Sequence, residues 1–342
     1  MKKIVVTSIG ACLVFLLVAT LPPGLGAQTT FKWKIGLLYP RASDYYKVYH
    51  KFCEDVKAMS GGRLVIDEVY DGEGVPAPEL FGAVKTGLLE MAQPWMPIHA
   101  GELPVGEIEA GLPGGPTVFA GLLAMYRESK LTQVFRKAYA GRGIEWLGDA
   151  FQPACYALTK KKITSLDDFK RMKLRAVGAY GKMMRQLGAS PVTLAFGEVY
   201  TSLATGVVDG VVGAQILDFK AGKFYEVAKY LFPVPIAGYQ AAPFLVNAKA
   251  WNKLPEDLKA VVKAAFDTHI IEMRLYCLLW EQNALSEMKS QGLKIGPMIT
   301  EAEKARWFEA GKSVWGDYAK ADQTSQDAIE AMTEFIKQYN LR

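Results

Sequence analysis

The chain lacks the residue patterns that most enzymes and disulfide-rich proteins need. Its 342 residues include three histidines and four cysteines, and they contain no HExxH, GxSxG or CxxC pattern. These spacings mark common classes of zinc-dependent hydrolases, serine hydrolases and dithiol redox proteins. We therefore expect neither an enzyme nor a metal site, and no cofactor.

The excess of one sign of charge over the other is also small. The formal net charge is +5, from 40 basic and 35 acidic residues, and the basic residues form no dense run. A nucleic-acid-binding surface usually shows such a run, so nucleic acid is not expected as a partner. Without Lys2 and Lys3 the rest of the chain keeps a surplus of three positive charges, which is compatible with an anionic ligand but does not require one.

Long apolar runs are confined to the beginning of the chain. Lys2 and Lys3 precede the apolar residues 4–21, and small residues follow up to Ala27. This order is typical of a signal peptide, so we expect residues 1–27 to be removed during export. An uncleaved membrane anchor is the alternative, because an apolar run of this length approaches a membrane span.

Three cysteines follow the predicted signal peptide. Cys53, Cys155 and Cys277 are far apart, and each has apolar neighbours in the sequence. An odd number of widely spaced cysteines does not indicate a disulfide framework. We expect buried, unpaired thiols.

A regular alternation of strands and helices lies between Ile163 and Gly213. Glycines separate predicted strands at residues 172–177, 191–194 and 207–212 from predicted helices at residues 179–187 and 197–205. Such alternation with short links predicts a parallel sheet, whose ligand crevice lies beyond the carboxyl ends of the strands. Arg175 comes at one of these ends. Its guanidinium is a planar fork of donors that fits a carboxylate.

The remaining patterns predict two lobes of an α/β protein. The first crossing between them is expected near residues 151–153, and Pro233 and Pro235 indicate a second one. Residues 117–141 read as one long amphipathic helix. Residues 255–290 read as another, whose apolar 3–4 spacing makes it long enough to lie across both lobes. The predicted lobes are residues 28–150 plus about 238–265, and residues 151–237 plus about 266–342.

Four motifs of the chain resemble a known family. They are KLRAVG (residues 173–178), LGASPV (187–192), GEVYTSLATGVVDG (197–210) and FYEVAKYL (224–231). Together they resemble the solute-binding proteins of tripartite ATP-independent periplasmic (TRAP) transporters, of the C4-dicarboxylate-binding type. The motifs occur in the family's order and spacing. The segment PFLVNAKAWNKLPEDLKAVV (243–262) also resembles the entry to the family's long helix.

The resemblance implies a two-lobed periplasmic-binding-protein fold with an interdomain ligand cleft and a long lobe-spanning helix. It implies a periplasmic protein that captures a small organic acid, namely a monocarboxylate, keto or aromatic acid, or dicarboxylate. The partners implied are membrane permease subunits, with a homodimer as a further assembly. Two alternatives remain open at this point. One is a binding protein that reports to a membrane receptor, and the other is an exported enzyme on the same scaffold, since fold does not fix function.

Arg175 matches the family's carboxylate-binding arginine, so the resemblance implies that it anchors the ligand. Its alternative role is a structural ion pair with Asp167 or Asp168. Gln152 and Gln215 follow strands near the expected crevice, where their amides would bond further ligand oxygens. The alternative for a glutamine in such a link is exposure to solvent.

Aromatic residues are expected on the opposite wall of the cleft. Tyr39 and Trp95 end predicted strands of the first lobe, although aromatic residues at strand ends also serve as core. Asp218 follows the last strand of the motif region and either faces the crevice or caps the next helix. Each of these three residues is a candidate ligand contact.

The sequence departs from the family at two places. Gly213 stands where family members commonly place an asparagine or tryptophan that touches the ligand, which predicts a larger pocket or a contact taken over by Gln215. Residues 236–240 (IAGYQ) lack the acidic residue that helps the keto-acid branch hold a cation. A metal-bridged keto acid is therefore not favoured, and a bulkier monocarboxylate becomes plausible.

Overall fold

The computed structural model describes residues 29–341, and the predicted signal peptide lies outside the described residues. Within this range no helix is both long and apolar enough to cross a membrane. The strands are β1 (Phe31–Leu37), β2 (Leu64–Val69), β3 (Met91–Gln93), β4 (Ile144–Gln152), β5 (Cys155–Thr159), β6 (Lys173–Arg175), β7 (Ser190–Val192), β8 (Gly210–Gln215), β9 (Tyr230–Ala237), β10 (Gln240–Asn247) and β11 (Lys294–Ile295).

Helices cover both faces of the sheets that these strands form. They are α1 (Tyr46–Met59), α2 (Leu80–Thr86), α3 (Val105–Glu109), α4 (Phe119–Glu128), α5 (Lys130–Ala140), α6 (Gly178–Gln186), α7 (Val199–Thr205), α8 (Ile216–Ala221), α9 (Phe224–Val227), α10 (Ala248–Lys253), α11 (Glu256–Ser290), α12 (Glu301–Lys312), α13 (Trp315–Ala319) and α14 (Gln323–Tyr339).

The first sheet has the strand order β2-β1-β3-β10-β4. Strand β1 runs parallel to β2 and β3, whereas β10 runs antiparallel to β3 and β4. Alternating apolar residues explain how β1 is placed, because Trp33, Ile35 and Leu37 all point into the core. We call the part of the molecule built on this sheet the first lobe.

The second sheet has the strand order β11-β9-β5-β8-β6-β7 and forms the second lobe. Strands β6, β7 and β8 are parallel, as the strand–helix alternation predicts. The sheet as a whole is mixed, however, because β5 runs antiparallel to both β8 and β9. A strand that enters directly from another sheet need not share the direction of strands that are linked by helices.

The chain passes between the two sheets through two adjacent links. Pro153 and Ala154 connect β4 to β5, and Gly238 and Tyr239 connect β9 back to β10. Strands β4 and β10 are paired along their length, and the register places Gln152 opposite Gln240. The two links therefore leave the first sheet side by side, which is the arrangement of a hinge.

Pro233 and Pro235 do not mark the second crossing itself. They lie inside β9, where the ladder with β5 is irregular between Cys155 and Ala157. Proline lacks the N–H that a regular ladder needs, and an irregular stretch of ladder tolerates it. The crossing lies a few residues further on.

The predicted spanning helix is confirmed as α11, which has 35 residues and packs against α1 and β4 of the first lobe and α8 of the second. In the first lobe its His269 lies among the rings of Tyr49, Phe52 and Phe244. Burial lowers the pKa of His269 to about 3, so the imidazole is neutral. This agrees with the apolar face expected there.

The expected helix over residues 117–141 is wrong in one respect, because it is two helices. Ser129 has an extended backbone (φ −94°, ψ 170°) that separates α4 from α5, and its hydroxyl accepts a hydrogen bond from the backbone N–H of Leu131. The serine thus caps a new helix where the apolar spacing continues without interruption.

The last helices divide between the lobes. Helix α12 packs against α6 and β9, whereas α14 packs against α3, α4 and α5 of the first lobe. The predicted lobe boundaries stay a prediction, and the packing of α14 argues for assigning its residues to the first lobe. The three described cysteines Cys53, Cys155 and Cys277 are buried and unpaired, as expected.

Two carboxyl groups are buried together in the first lobe. Glu109 accepts hydrogen bonds from the Tyr139 hydroxyl and, at 2.8 Å, from Trp146 Nε1. Asp149 has no hydrogen-bond partner for either oxygen among the described residues. Burial raises the pKa of both groups, and the charge of Glu109 raises that of Asp149 further. The folded protein therefore holds protons here that the unfolded chain releases.

We predict that thermal stability falls as the pH rises from about 5 to about 8. Carboxyl groups whose pKa is raised by folding stabilise the protein fully below their ordinary pKa of about 4, and this contribution is lost as the pH approaches the raised value. Each unit of pKa shift corresponds to about 1.4 kcal/mol. Unfolding midpoints of Asp149→Asn should depend less on pH than those of the parent.

The control is Glu145→Gln, which changes a partly exposed carboxylate on the same strand. Its unfolding midpoints should follow the parent's pH dependence. Equal slopes for the parent and Asp149→Asn would contradict the prediction.

Candidate ligand-binding cleft

A cavity of about 260 Å³ lies between the two lobes. Its wall combines residues of the first lobe, the turn after β6, strand β8 and the start of β10. The lining residues are Trp95, Pro97, Glu107, Ala110, Gly111, Leu112, Val177, Gly178, Ala179, Tyr180, Gly213, Gln240 and Tyr318. Two of the predicted contact residues, Trp95 and Gly213, are among them.

The side chain of Gln215 connects the two lobes by hydrogen bonds. Its Nε2 donates to Gln152 Oε1 at 3.2 Å and to Gln240 Oε1 at 2.9 Å, so it bonds both strands that leave the first sheet. Its Oε1 accepts a hydrogen bond from the Tyr45 hydroxyl of the first lobe at 3.2 Å. The structure thus brings the predicted residues Gln152 and Gln215 together at the hinge. Both are the last residues of their strands rather than residues in links.

Two amide groups near this network keep unused donors. Gln152 Nε2 is buried and has no hydrogen-bond partner among the described residues. The same is true of Gln93 Nε2 in β3, whose Oε1 accepts from the Tyr49 hydroxyl at 2.6 Å. A buried donor without an acceptor costs roughly 1–3 kcal/mol, and neither glutamine is among the residues that line the cavity.

Arg175 ends β6 and is buried, with 8% of its surface exposed. Its Nε donates to the backbone carbonyl of Leu194 at 3.2 Å, and no salt bridge within residues 29–341 includes it. The alternative partners are engaged elsewhere, Asp167 with Lys170 and Asp168 with the backbone of residues 164 and 165. Burial lowers the pKa of Arg175, and the Asp218 carboxylate offsets part of this shift.

Arg175 does not line the cavity itself, but it adjoins it. Val177 to Tyr180, which do line it, begin two residues after Arg175 in the chain. In the sheet Arg175 pairs with Val211, two residues before the cavity residue Gly213. The guanidinium is therefore a buried charge without a carboxylate partner, next to the cavity.

Asp218 takes the capping role that the sequence leaves open. Its Oδ2 accepts a hydrogen bond from the backbone N–H of Gln215 at 2.9 Å, at the beginning of α8. Tyr39 lies two residues beyond β1 and stacks on Tyr45, with ring centroids 4.2 Å apart. Burial raises the pKa of Tyr39, and the charges of Tyr49 and Asp218 add to this. Neither Tyr39 nor Asp218 is among the residues that line the cavity.

The space beside Gly213 is filled by the ring of Tyr180. A Cβ atom at Gly213 would lie 2.2 Å from Tyr180 Cδ2, and the backbone there has φ +85°, which favours glycine. The expected enlargement of the pocket is therefore wrong, because the ring occupies the volume that a side chain at position 213 would take. The Tyr180 hydroxyl lies beside Gln240 and Cys155.

Four cleft residues have no signal in the sequence that singles them out. Gln240 ends a segment that is notable only for lacking a carboxylate, and Tyr180 follows the conspicuous KLRAVG motif by two residues. Glu107 and Tyr318 belong to the short helices α3 and α13, far from the motif region. The position of Tyr180 five residues after Arg175, at the start of the predicted helix, could have pointed to it. Nothing local points to the other three.

Two lobes joined by paired crossing strands, with a mainly apolar cavity between them, are typical of a two-lobed ligand-binding protein. A family model described as bacterial extracellular solute-binding protein, family 7, matches residues 36–322. The chain belongs to this family. The resemblance to TRAP solute-binding proteins is thereby confirmed, and the protein is a solute-binding protein of that family.

Individual relatives agree with this assignment. The monocarboxylate 2-oxoacid-binding periplasmic protein all3028 of Nostoc sp. strain PCC 7120 is 24% identical over 315 residues, which cover 90% of this chain and 84% of that protein. A TRAP periplasmic solute-binding protein of Desulfovibrio salexigens, solved with bound orotic acid, superposes with a TM-score of 0.75 at 23% identity, covering 90% of this chain and 99% of that one.

A Bordetella pertussis extracytoplasmic solute receptor that binds pyroglutamic acid superposes with a TM-score of 0.72 at 24% identity. The match covers 89% of this chain and 99% of that chain. At these identities the likeness of the two structures shows the shared fold. The family and structural neighbours are solute-binding proteins and not enzymes.

We predict that Gly213→Ala destabilises the protein by roughly 2 kcal/mol or more. The left-handed backbone costs an L-residue about 1–2 kcal/mol, and the contact with Tyr180 adds the cost of overpacking. Urea unfolding measures this loss. Gly197→Ala is the matched control in the same lobe, because a Cβ there meets no atom within 4 Å.

The double variant Gly213→Ala with Tyr180→Ala separates the two causes. Removal of the ring should recover the overpacking part, so the two changes should be non-additive. Strict additivity would show that the ring does not occupy this space.

Proposed function

We propose that the protein captures one small organic acid in the cleft and delivers it to the permease subunits of a TRAP transporter. The acid classes considered are monocarboxylates, keto or aromatic acids, and dicarboxylates. The named ligands of the Nostoc, Desulfovibrio and Bordetella pertussis relatives support this proposal, since 2-oxoacids, orotic acid and pyroglutamic acid are all carboxylic acids.

The observation that carries the proposal is the unpaired charge of Arg175. Its Nε is the guanidinium nitrogen with a protein acceptor, and no carboxylate within the described residues forms a salt bridge with it. A buried charge without a partner is strongly unfavourable. A ligand carboxylate would supply the missing partner, because two of its oxygens fit the planar guanidinium. Arg175 is therefore the proposed anchor.

Further contacts would orient the ligand and close the cleft. The unused amide donors of Gln152 and Gln93 would turn to ligand oxygens, and Trp95 offers an aromatic wall within the cavity. Gln215 and Tyr45 already connect the lobes by a hydrogen bond. Tyr39 and Asp218 lie outside the cavity wall, and Tyr180 takes the place of a side chain at position 213.

We also propose export to the periplasm with cleavage near Ala27, and ligand release without chemical change. The order of basic, apolar and small residues in 1–27 supports the first point. The cleft offers hydrogen-bond donors and a guanidinium, which are groups that bind an anion. Recovery of the bound acid unchanged after prolonged incubation would support binding without turnover.

A homodimer is proposed as a further assembly, formed along an exposed apolar stripe of α11. Ile271, Leu275, Leu278 and Leu279 fall on one helical face and are each at least 42% exposed. Exposed apolar patches of this kind often mark interfaces, and a stripe on one helix can pair with its own copy about a two-fold axis.

The dimer proposal is tested by light scattering coupled to size-exclusion chromatography. The parent protein should elute with the mass of a dimer, and Leu275→Glu with Leu279→Glu should elute with the mass of a monomer, because each copy would bury charge. Leu88→Glu, at another exposed apolar position, is the control. A monomeric parent protein would overturn the proposal.

We predict that Arg175→Ala weakens binding of the captured acid by roughly 2–5 kcal/mol, as loss of one partner of a buried charge pair does. A thermal-shift screen against small carboxylates, from two-carbon keto acids through dicarboxylates to aromatic acids, identifies the ligand, because binding to the folded state raises the unfolding temperature. Isothermal titration then compares the variants.

The matched control is Arg185→Ala, which removes an exposed arginine from the helix that follows Arg175. It should bind as the parent protein does. Equal affinity of Arg175→Ala and the parent would refute the anchor role, and unfolding shifts with neutral sugars or amines alone would refute the ligand class.

A further inference from the structure

A second unpaired charge, of opposite sign, lies on the cavity wall. Glu107 in α3 lines the cavity and is partly buried, and its carboxylate has no hydrogen bond or salt bridge within residues 29–341. Burial raises the pKa of Glu107, and the positive charge of Lys182 offsets part of the shift. The Lys182 ammonium is instead 3.2 Å from Asp317 Oδ2. Glu107 therefore has a charge that no protein group in direct contact neutralises.

Aromatic rings surround the same part of the cavity. Trp95, Tyr180 and Tyr318 all line it together with Glu107. The faces of such rings attract cations, most strongly where water is excluded. Tyr318 already shows this preference, because the Lys182 ammonium lies 4.7 Å from its ring centroid. A carboxylate among aromatic rings is a suitable environment for an ammonium group.

Glu107 and the proposed anchor are related through the residues that line the cavity. Gly213 and Val177 line the cavity with Glu107. Gly213 is two residues beyond Val211, the ladder partner of Arg175, and Val177 is two residues beyond Arg175 itself. Glu107 thus brings an unpaired negative charge to the cavity wall, and Arg175 brings an unpaired positive charge to the strand that leads into that wall.

We propose that the ligand is a small zwitterion, with its carboxylate on Arg175 and its ammonium group on Glu107 among the rings of Trp95, Tyr180 and Tyr318. This inference rests on the proposed function, because Arg175 has to bind the acid end. It narrows the ligand class to small acids that also carry an ammonium group. A dicarboxylate of similar length would place its second negative charge against Glu107, and a simple monocarboxylate would leave Glu107 unpaired in a closed cleft.

The test compares ligands that differ only at the end opposite the carboxylate. Isothermal titration of the purified protein uses propanoate, butanoate and pentanoate, their ω-amino counterparts, and the dicarboxylates of the same lengths. One amino acid should bind at least about tenfold more tightly than both matched acids, as expected for a charge-assisted hydrogen bond. Glu107→Gln should reduce this preference about tenfold or more and should improve dicarboxylate binding.

Two further variants separate recognition from folding. Glu107→Asp keeps the charge on a shorter side chain and should retain part of the preference. Glu102→Gln removes an exposed carboxylate whose partner is Lys85, and it should leave the preference unchanged. The unfolding midpoint of each variant without ligand shows whether the fold is intact.

The outcomes for the two proposals differ. If simple carboxylates bind through Arg175 with no gain from an amino group, and Glu107→Gln binds every probe as the parent protein does, the zwitterion proposal is overturned and the anchor proposal stands. If no probe with a carboxylate binds, both proposals fail. An amino-acid preference that survives in Glu107→Gln would place the ammonium group elsewhere and would also overturn the inference.

Discussion

The hydrogen bonds of Gln215 hold the two lobes of this protein in one arrangement. Its amide nitrogen bonds Gln152 and Gln240, and its oxygen bonds Tyr45 of the opposite lobe. All three partners are uncharged, so each bond exchanges readily with water when the cleft opens, and each contributes roughly 0.5–1.5 kcal/mol. These bonds alone therefore stabilise the observed arrangement of the lobes only weakly. A bound ligand that touches both lobes then decides which arrangement is populated.

The cleft is small because Tyr180 and Gly213 act as a pair. The glycine supplies a left-handed backbone and no side chain, and the tyrosine ring occupies the space. The side chain that forms this part of the cavity wall therefore comes from α6 and not from β8. Tyr180 lies five residues after Arg175, so the same short stretch of chain holds the ring and the proposed anchor.

Sequence patterns predicted the part of this structure that depends on local order. Alternation of strand and helix located the parallel strands β6 to β8 and Arg175 at their edge. Strand β5 enters directly from the first sheet, and this entry determines its direction. The spacing of apolar residues along the chain does not indicate that direction. The same limit applies to the site, because Glu107, Gln240 and Tyr318 come from three separate segments and become neighbours only after packing. Ser129 ends a helix although the apolar spacing continues, since its cap competes locally with the helix.

The 35-residue helix α11 has a mechanical consequence for this arrangement. Its buried residues Leu258 to Cys277 belong to the larger core, and Ala284 and Met288 belong to the core of the second lobe. Rotation of one lobe about the two short links must bend this helix or slide one of its ends over its core. Helices bend gently at modest cost, whereas packed cores resist sliding. Bending of α11 is therefore the less costly way for the lobes to rotate relative to each other.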